Sequence, residues 1–258
     1  MVRASAMVLD GYGINCPYET AYAVRASGGE AKIVHVGELI ASPKILEEYN
    51  LLILPGGFSF GDDLGSARVL ANRLRHGAGE ALRGFIGSGK LVMGICNGFQ
   101  ALVKMGLLPV PDFRQRVTLT YNSSGKFEDR WVRLAINGKS PCVFTKGIEF
   151  LDLPVRHGEG RFVPSGKEVV EEMLGKNLIA CQYIGPGGDV NTYPYNPNGS
   201  VGGIAGICDE SGRVFGLMPH PEAYNHFTNH PLWTRNGGKG GEGLRMFRNA
   251  IGHIESCL

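Results

Sequence analysis

The group best suited to covalent chemistry in this chain is a cysteine held between two glycines, Gly94-Ile-Cys96-Asn97-Gly98. It follows the apolar run Leu91 to Met93 and precedes a helix-like stretch from Phe99 to Lys104 that ends at Gly106, so it reads as a sharp strand-to-helix turn. Such a turn brings backbones close, which flanking glycines permit, and pushes the thiol out at the C-terminal end of the strand. There it faces a helix N-terminus, whose unpaired N–H groups and partial positive charge favour thiolate and can receive an oxyanion. A cysteine at an arbitrary turn is more often a small buried hydrophobe. The strand, both glycines and the polar Asn97 together reverse that balance.

A thiol nucleophile needs a proton acceptor oriented by a third group. Met218-Pro-His220-Pro-Glu222 supplies both, directly after the apolar run Val214 to Leu217. Residues two apart on extended backbone share a side, so Glu222 can fix the His220 tautomer. Val155-Arg-His157-Gly-Glu159-Gly160 offers a rival His-x-Glu pair. The two prolines make the His220 segment the stiffer of the two, and it is preferred. A third element, Leu54-Pro-Gly-Gly57-Phe-Ser-Phe-Gly-Asp-Asp63, sets glycines just past another apolar run, where backbone N–H groups can approach a ligand.

These groups require a framework of strands that end at a common edge. Short runs rich in Val, Ile and Leu, namely Ala6 to Leu9, Lys32 to Val36, Leu51 to Leu54 and Leu91 to Met93, read as parallel strands buried on both faces. Helix-like stretches lie between them: Glu19 to Ala26, closed by Gly28-Gly29, and Leu64 to Ile86. This alternation predicts an α/β sheet. From Arg114 the pattern shifts to strands joined by polar turns, over Val117 to Tyr121, Trp131 to Ile136, Leu178 to Tyr183, Ile204 to Ile207 and Val214 to Leu217. The last two predict an antiparallel hairpin. A final amphipathic helix is expected over Glu242 to Ile254, after the glycine cluster Gly237 to Gly243. Without an internal repeat or linker, residues 1–258 are expected to form one domain, continuing past about residue 223 as a C-terminal extension.

Composition narrows the partners. The chain is 43% hydrophobic and 19% charged with a net charge of +2, and its basic residues are scattered, which speaks against a nucleic-acid or membrane surface. No apolar stretch is long enough to span a membrane, and the first residues do not resemble a signal peptide, so a cytoplasmic protein is expected. The six cysteines have no ligand spacing, so no metal site is expected from them. His226 and His230, four apart, lack a clear third ligand.

In this order, Pro55-Gly-Gly57, Gly94-Ile-Cys96-Asn-Gly-Phe-Gln100 and Pro219-His220-Pro-Glu222 resemble the class I glutamine amidotransferases. Gly13-Ile-Asn-Cys16, Gly56-Gly-Phe-Ser-Phe-Gly-Asp62, His157-Gly-Glu-Gly160 and Asn196-Pro-Asn-Gly-Ser200 make the resemblance nearest to the glutaminase subunits of phosphoribosylformylglycinamidine synthases. It extends from about Val8 to Glu222. The resemblance implies a flavodoxin-like, mixed but mainly parallel sheet flanked by helices, with a smaller antiparallel element. It further implies Cys96 as nucleophile with His220 and Glu222, Gly57 and Asn97 as oxyanion N–H donors, and Gln100 in a glutamine pocket. It implies no cofactor in this chain, a large synthetase subunit that uses ATP and magnesium, and a small accessory subunit. After Glu222, where many relatives carry a basic residue, this chain has Ala223, which leaves the partner contacts of its tail open.

Three other glycine clusters are not nucleotide loops by the same criteria. Gly84-Phe-Ile-Gly-Ser-Gly-Lys-Leu91 ends in leucine where a magnesium-binding hydroxyl is needed, and it precedes a strand. Gly11-Tyr-Gly-Ile-Asn-Cys16 lacks a third glycine, and Gly238-Lys-Gly-Gly-Glu-Gly243 lacks a preceding strand. The competing functions are a glutaminase feeding another synthetase, a non-catalytic binding protein on the same scaffold, and a cysteine peptidase.

Overall fold

The computed structural model describes residues 3–62, 64–235 and 240–257. Its main sheet has nine strands in the order β2-β1-β3-β4-β11-β10-β9-β6-β7. These are β1 (Ser5–Asp10), β2 (Glu30–His35), β3 (Leu51–Leu54), β4 (Leu91–Ile95), β6 (Glu128–Ile136), β7 (Phe150–His157), β9 (Ile179–Tyr183), β10 (Ile204–Cys208) and β11 (Val214–Leu217). From β2 across to β11 all pairings are parallel, and from β11 to β7 all are antiparallel. A separate antiparallel pair joins β5 (Val117–Thr120) to β8 (Arg161–Pro164). This is the mixed sheet with flanking helices and a small antiparallel element that the family resemblance implies.

Every residue of β3, β4 and β11 is buried, as continuous apolar runs covered on both faces require. The cover comes from α1 (Pro17–Ala26), α2 (Val36–Ala41), α3 (Arg68–Gly87), α4 (Asn97–Met105), α5 (Lys167–Gly175) and α6 (Leu244–Cys257). In α3 the buried Leu70, Leu74, Ala78, Leu82 and Phe85 recur at helical spacing. In α6, Leu244, Phe247, Ile251 and Ile254 form the buried stripe and pack toward α1. Ile251 lies so close over Gly29 that a Cβ there would sit 3.0 Å from it.

The differences from expectation are local. Val36 begins a helix instead of ending a strand, because the His35 side chain caps α2 by accepting from Gly37 N–H at 3.0 Å. The helix expected from Leu64 starts only at Arg68, since the Asp62 carboxylate accepts from Ser66 Oγ and Ala67 N–H and holds the preceding loop. Strands β7 and β8 and helix α5 were not expected. Pro154 in the middle of β7 argues against a central strand, and β7 is indeed an edge. Of the glycine cluster before α6, Gly237 to Lys239 lie outside the described residues, as does Asp63.

The antiparallel part curls back on itself. His220 N–H, beyond the end of β11, donates to Pro154 O of edge strand β7 at 2.9 Å. The end of β7 is thereby brought over the C-terminal edge of the parallel strands, where sites in open α/β sheets lie.

Candidate active site

Cys96 connects β4 to α4 with φ 51° and ψ −105°, a left-handed conformation for a residue with a side chain. Its N–H donates to Leu217 O of β11 at 2.8 Å, and its carbonyl receives the first helical bond of α4, from Gln100 N–H at 3.0 Å. The N–H groups of the first turn, Asn97 included, therefore precede the helical ladder and lie beside the sulfur. Gly98 must be glycine: a Cβ there would lie 1.8 Å from Leu54 O, so the elbow can seat against the end of β3 only without one. The thiol, on a residue only 4% exposed, donates to Arg156 O at 3.7 Å.

His220 stands over the same point. His220 Nδ1–H donates to Glu222 Oε1 at 2.6 Å, and both residues are buried. Gly56 marks where His220 and Cys96 meet, because a Cβ on it would fall 2.6 Å from His220 Cε1 and 3.5 Å from Cys96 Cβ. Burial alone would push the His220 pKa down, but the Glu222 carboxylate, and after it Cys96, hold it well above the ordinary histidine value. Among the described residues, no protein atom meets hydrogen-bond geometry at His220 Nε2 or Glu222 Oε2, both of which are buried.

The loop after β3 is braided to the loop after β1. Asn15 and Cys16 N–H both donate to Gly56 O, while Phe58 N–H donates to Gly13 O at 2.7 Å. Gly57 has φ 154°, and a Cβ there would stand 2.4 Å from Gly13 O. Gly57 is thus fixed one residue from the meeting point at Gly56. The Asn97 side chain clamps this loop to the elbow: Oδ1 accepts from Ser59 N–H at 3.2 Å, and Nδ2 donates to Gln100 Oε1 at 2.9 Å. Gln100 Nε2 in turn donates to Glu159 O at 2.5 Å. Each end of the Gln100 amide thus makes one bond to protein, and the Nε2 bond ties it to the turn between β7 and β8.

That turn carries the rival His157, whose partner is Asn122. Asn122 Nδ2 donates to the carbonyls of Lys126 and His157, which aims its Oδ1 at His157 Nδ1–H, 3.1 Å away, and at Gly160 N–H. His157 is therefore held as the Nδ1–H tautomer. Burial first, then repulsion by His220, lower its pKa to about 3. A histidine kept neutral in this way neighbours the base pair without duplicating it. Nearby, burial raises the pKa of Asp62 and lowers that of Lys104, and Glu159 acts on both.

The six residues singled out from the sequence, Cys96, His220, Glu222, Gly57, Asn97 and Gln100, thus lie around one point at the sheet edge. The sequence reading did not single out Cys16, Asn122, Asp62 or Arg156. Cys16 could have been found by its place at the start of a helix after a parallel strand. Arg156 acts through its carbonyl, which carries no signal of residue type. His226 caps the short turn Phe227–Asn229, and His230 meets Trp131 edge-on and Tyr224 at a tilt. Gly87 to Gly89 form a helix end and turn.

Comparison with known proteins adds an independent line. The model of the CobB/CobQ-like glutamine amidotransferase domain matches residues 3–254. A phosphoribosylformylglycinamidine synthase subunit PurQ of Dehalococcoides mccartyi is 48% identical over 97% of this chain and 98% of its own length. A protein of the same name from Methanococcus maripaludis is 43% identical over 97% of both chains. Among solved structures, a chain of PurLQS from Thermotoga maritima superposes with a TM-score of 0.71 at 34% identity, covering 98% of this chain and 100% of that one.

Proposed function

The chain belongs to the CobB/CobQ-like glutamine amidotransferase domain family, and from that membership we propose that it is the glutamine-hydrolysing subunit of a phosphoribosylformylglycinamidine synthase. The relatives that carry this name are similar over nearly their whole length, which supports the assignment over a glutaminase serving another synthetase. The observation that carries the chemistry is the left-handed Cys96, set beside a buried His220–Glu222 pair with only a glycine between.

Cys96 passes its proton to His220, and the sulfur attacks the side-chain carboxamide carbon of glutamine. The oxyanion that forms is received by backbone N–H groups of Gly57 and Asn97. His220 returns the proton to the departing nitrogen, the C–N bond breaks, and ammonia leaves a glutamyl thioester on Cys96. Water, losing a proton to His220, then attacks the thioester. The C–S bond breaks, the thiol recovers its proton and glutamate is released. Glu222 holds the imidazole in one tautomer throughout, and proton transfer by His220 contributes roughly 10² to 10⁴ in rate.

Ammonia then passes to a large synthetase subunit, which uses ATP and magnesium to convert formylglycinamide ribonucleotide to formylglycinamidine ribonucleotide in purine synthesis; a small accessory subunit joins the complex. This chain acts as one glutaminase domain, with the segment after about residue 223 returning through α6 to pack on α1. No helix among the described residues is long and apolar enough to cross a membrane, which agrees with work in the cytoplasm.

Glutamate release should be measured for wild type and Cys96→Ala, each with and without the synthetase subunit, its ribonucleotide substrate and ATP. Partner-stimulated release that vanishes in Cys96→Ala is the expected result. Absence of release from a verified complex would overturn the assignment of the acceptor.

A further inference from the structure

Cys16 touches the catalytic base, yet the proposed reaction does not use it. Its sulfur, a ring nitrogen of His220 and a carboxylate oxygen of Glu222 lie within 4.8 Å of one another, and all three residues are buried. His220 Nε2 and Glu222 Oε2 are buried and make no bond of full hydrogen-bond geometry among the described residues, although the Cys16 and Cys96 thiols act on the imidazole. Desolvated polar atoms left unpaired are costly, and a group that ligates them removes that cost. The backbone under Cys16 is fixed by its N–H bond to Gly56 O at 3.2 Å and by Thr20, whose N–H and Oγ1 both donate to Cys16 O.

We propose that Cys16, His220 and Glu222 form an inhibitory site for a thiophilic divalent cation of the zinc class, which stops glutamine hydrolysis by occupying the base. The inhibitory part rests on the function proposed above; the binding part does not. One sulfur, one imidazole nitrogen and one carboxylate oxygen are the donor types that zinc takes, whereas magnesium and calcium demand oxygen. Tetrahedral coordination at ordinary bond lengths sets donors about 3.5 Å apart, within reach by side-chain rotation of atoms that already lie within 4.8 Å of one another. On binding, the protons of the Cys16 thiol and of the imidazole nitrogen leave to buffer. The Cys96 sulfur acts on the same imidazole but lies outside this group of three, so the fourth position falls to water. No sequence spacing announces this site, because Cys16 and His220 come from opposite ends of the chain and meet only through the sheet edge.

Cadmium ion is the probe for binding, since cadmium–thiolate absorption in the ultraviolet reports the sulfur directly, and zinc ion is the probe for inhibition. The full chain should bind one cadmium ion with a thiolate band, and Cys96→Ala should retain a stoichiometric site with such a band. Cys16→Ser should bind at least tenfold more weakly. In the complex with the synthetase subunit, zinc should inhibit glutamate release reversibly on chelation. Each variant is read against its own metal-free rate, and Cys16→Ser should need at least tenfold more zinc. Should Cys16→Ser not fold, peptide mass spectrometry of wild type replaces it, with cadmium expected to shield Cys16 from alkylation. Binding that survives in Cys16→Ser but is lost in Cys96→Ala would overturn the site, as would equal alkylation of Cys16 with and without cadmium. Because the binding arms do not depend on turnover, an inactive glutaminase would sink the functional assignment without touching them.

Discussion

In the parallel part of the sheet, each functional group is positioned by the few residues around it: Cys96 by its own elbow and Gly98, and Glu222 by the rigid Pro-His-Pro turn. The antiparallel part works at a distance. Its edge strand β7 lies across β11, β10, β9 and β6 from the nucleophile strand β4, yet it delivers Pro154 O to His220 N–H and Arg156 O to the Cys96 thiol by curling over the sheet edge. On the proposed mechanism the first part supplies the reacting groups and the second walls them in. Changes to the first should remove chemistry at little cost in stability, and changes to the second should do the reverse.

The largest effect is expected for Cys96→Ala. With the nucleophile gone, glutamate release in the presence of the partner should fall by about 10⁴-fold or more. Alanine keeps the Cβ and with it the left-handed strain, so the melting temperature should stay near that of wild type. A residual rate within tenfold of wild type would break the assignment of roles between the two parts. Glu222→Gln comes next. It leaves a neutral partner at 2.6 Å from the imidazole and removes the carboxylate that holds the His220 proton. The expected loss is about 10² to 10⁴ in kcat with little change in KM, and a loss confined to KM would place Glu222 in binding instead.

The same contrast explains what the sequence disclosed. A nucleophile elbow is a local object, since strand, glycine, cysteine, glycine and helix occupy consecutive residues, and so does the His220–Glu222 turn. The parallel strands were legible for a similar reason, because burial on both faces writes an unbroken apolar run. Strand β7 was not, because Pro154, Asp152 and Arg156 interrupt its pattern and its place at the edge tolerates them. Cys16 drew no notice by itself: a lone thiol before a helix acquires meaning only when Gly56 and His220 arrive from elsewhere in the chain. Carbonyl contacts such as Arg156 O and Glu159 O leave no mark on residue type at all.

Asn122→Ala tests the wall. It removes the acceptor for His157 Nδ1–H and Gly160 N–H and the donor to two carbonyls, all buried or partly buried. Leaving such groups unpaired costs about 1–3 kcal/mol, so unfolding by urea should shift its midpoint downward. Glutaminase activity below that midpoint should fall by about tenfold or less, through a misplaced turn between β7 and β8. An activity loss as large as that of Glu222→Gln, with stability unchanged, would mean that this region does chemistry after all.

The smallest effect at neutral pH, and the one most specific to the wall, belongs to His157. Its pKa is lowered to about 3 in the folded chain from 6.5 in the unfolded one, by burial and by the neighbouring His220. Above pH 6.5 the residue is neutral in both states and takes no stability away. Below that pH the unfolded chain binds a proton that the folded chain refuses, so stability is lost as the pH falls toward 3. The slope is about 1.4 kcal/mol per pH unit, or about 2 kcal/mol by pH 5. His157→Gln has no such proton to gain. It should therefore lose less stability than wild type between pH 7 and pH 5, by about that 2 kcal/mol in urea unfolding, even if its absolute stability at pH 7 is lower. Parallel pH dependences for the two proteins would show that His157 charges without cost. The wall would then be open to solvent, and the division between a part that reacts and a part that encloses would fail at the residue where it is sharpest.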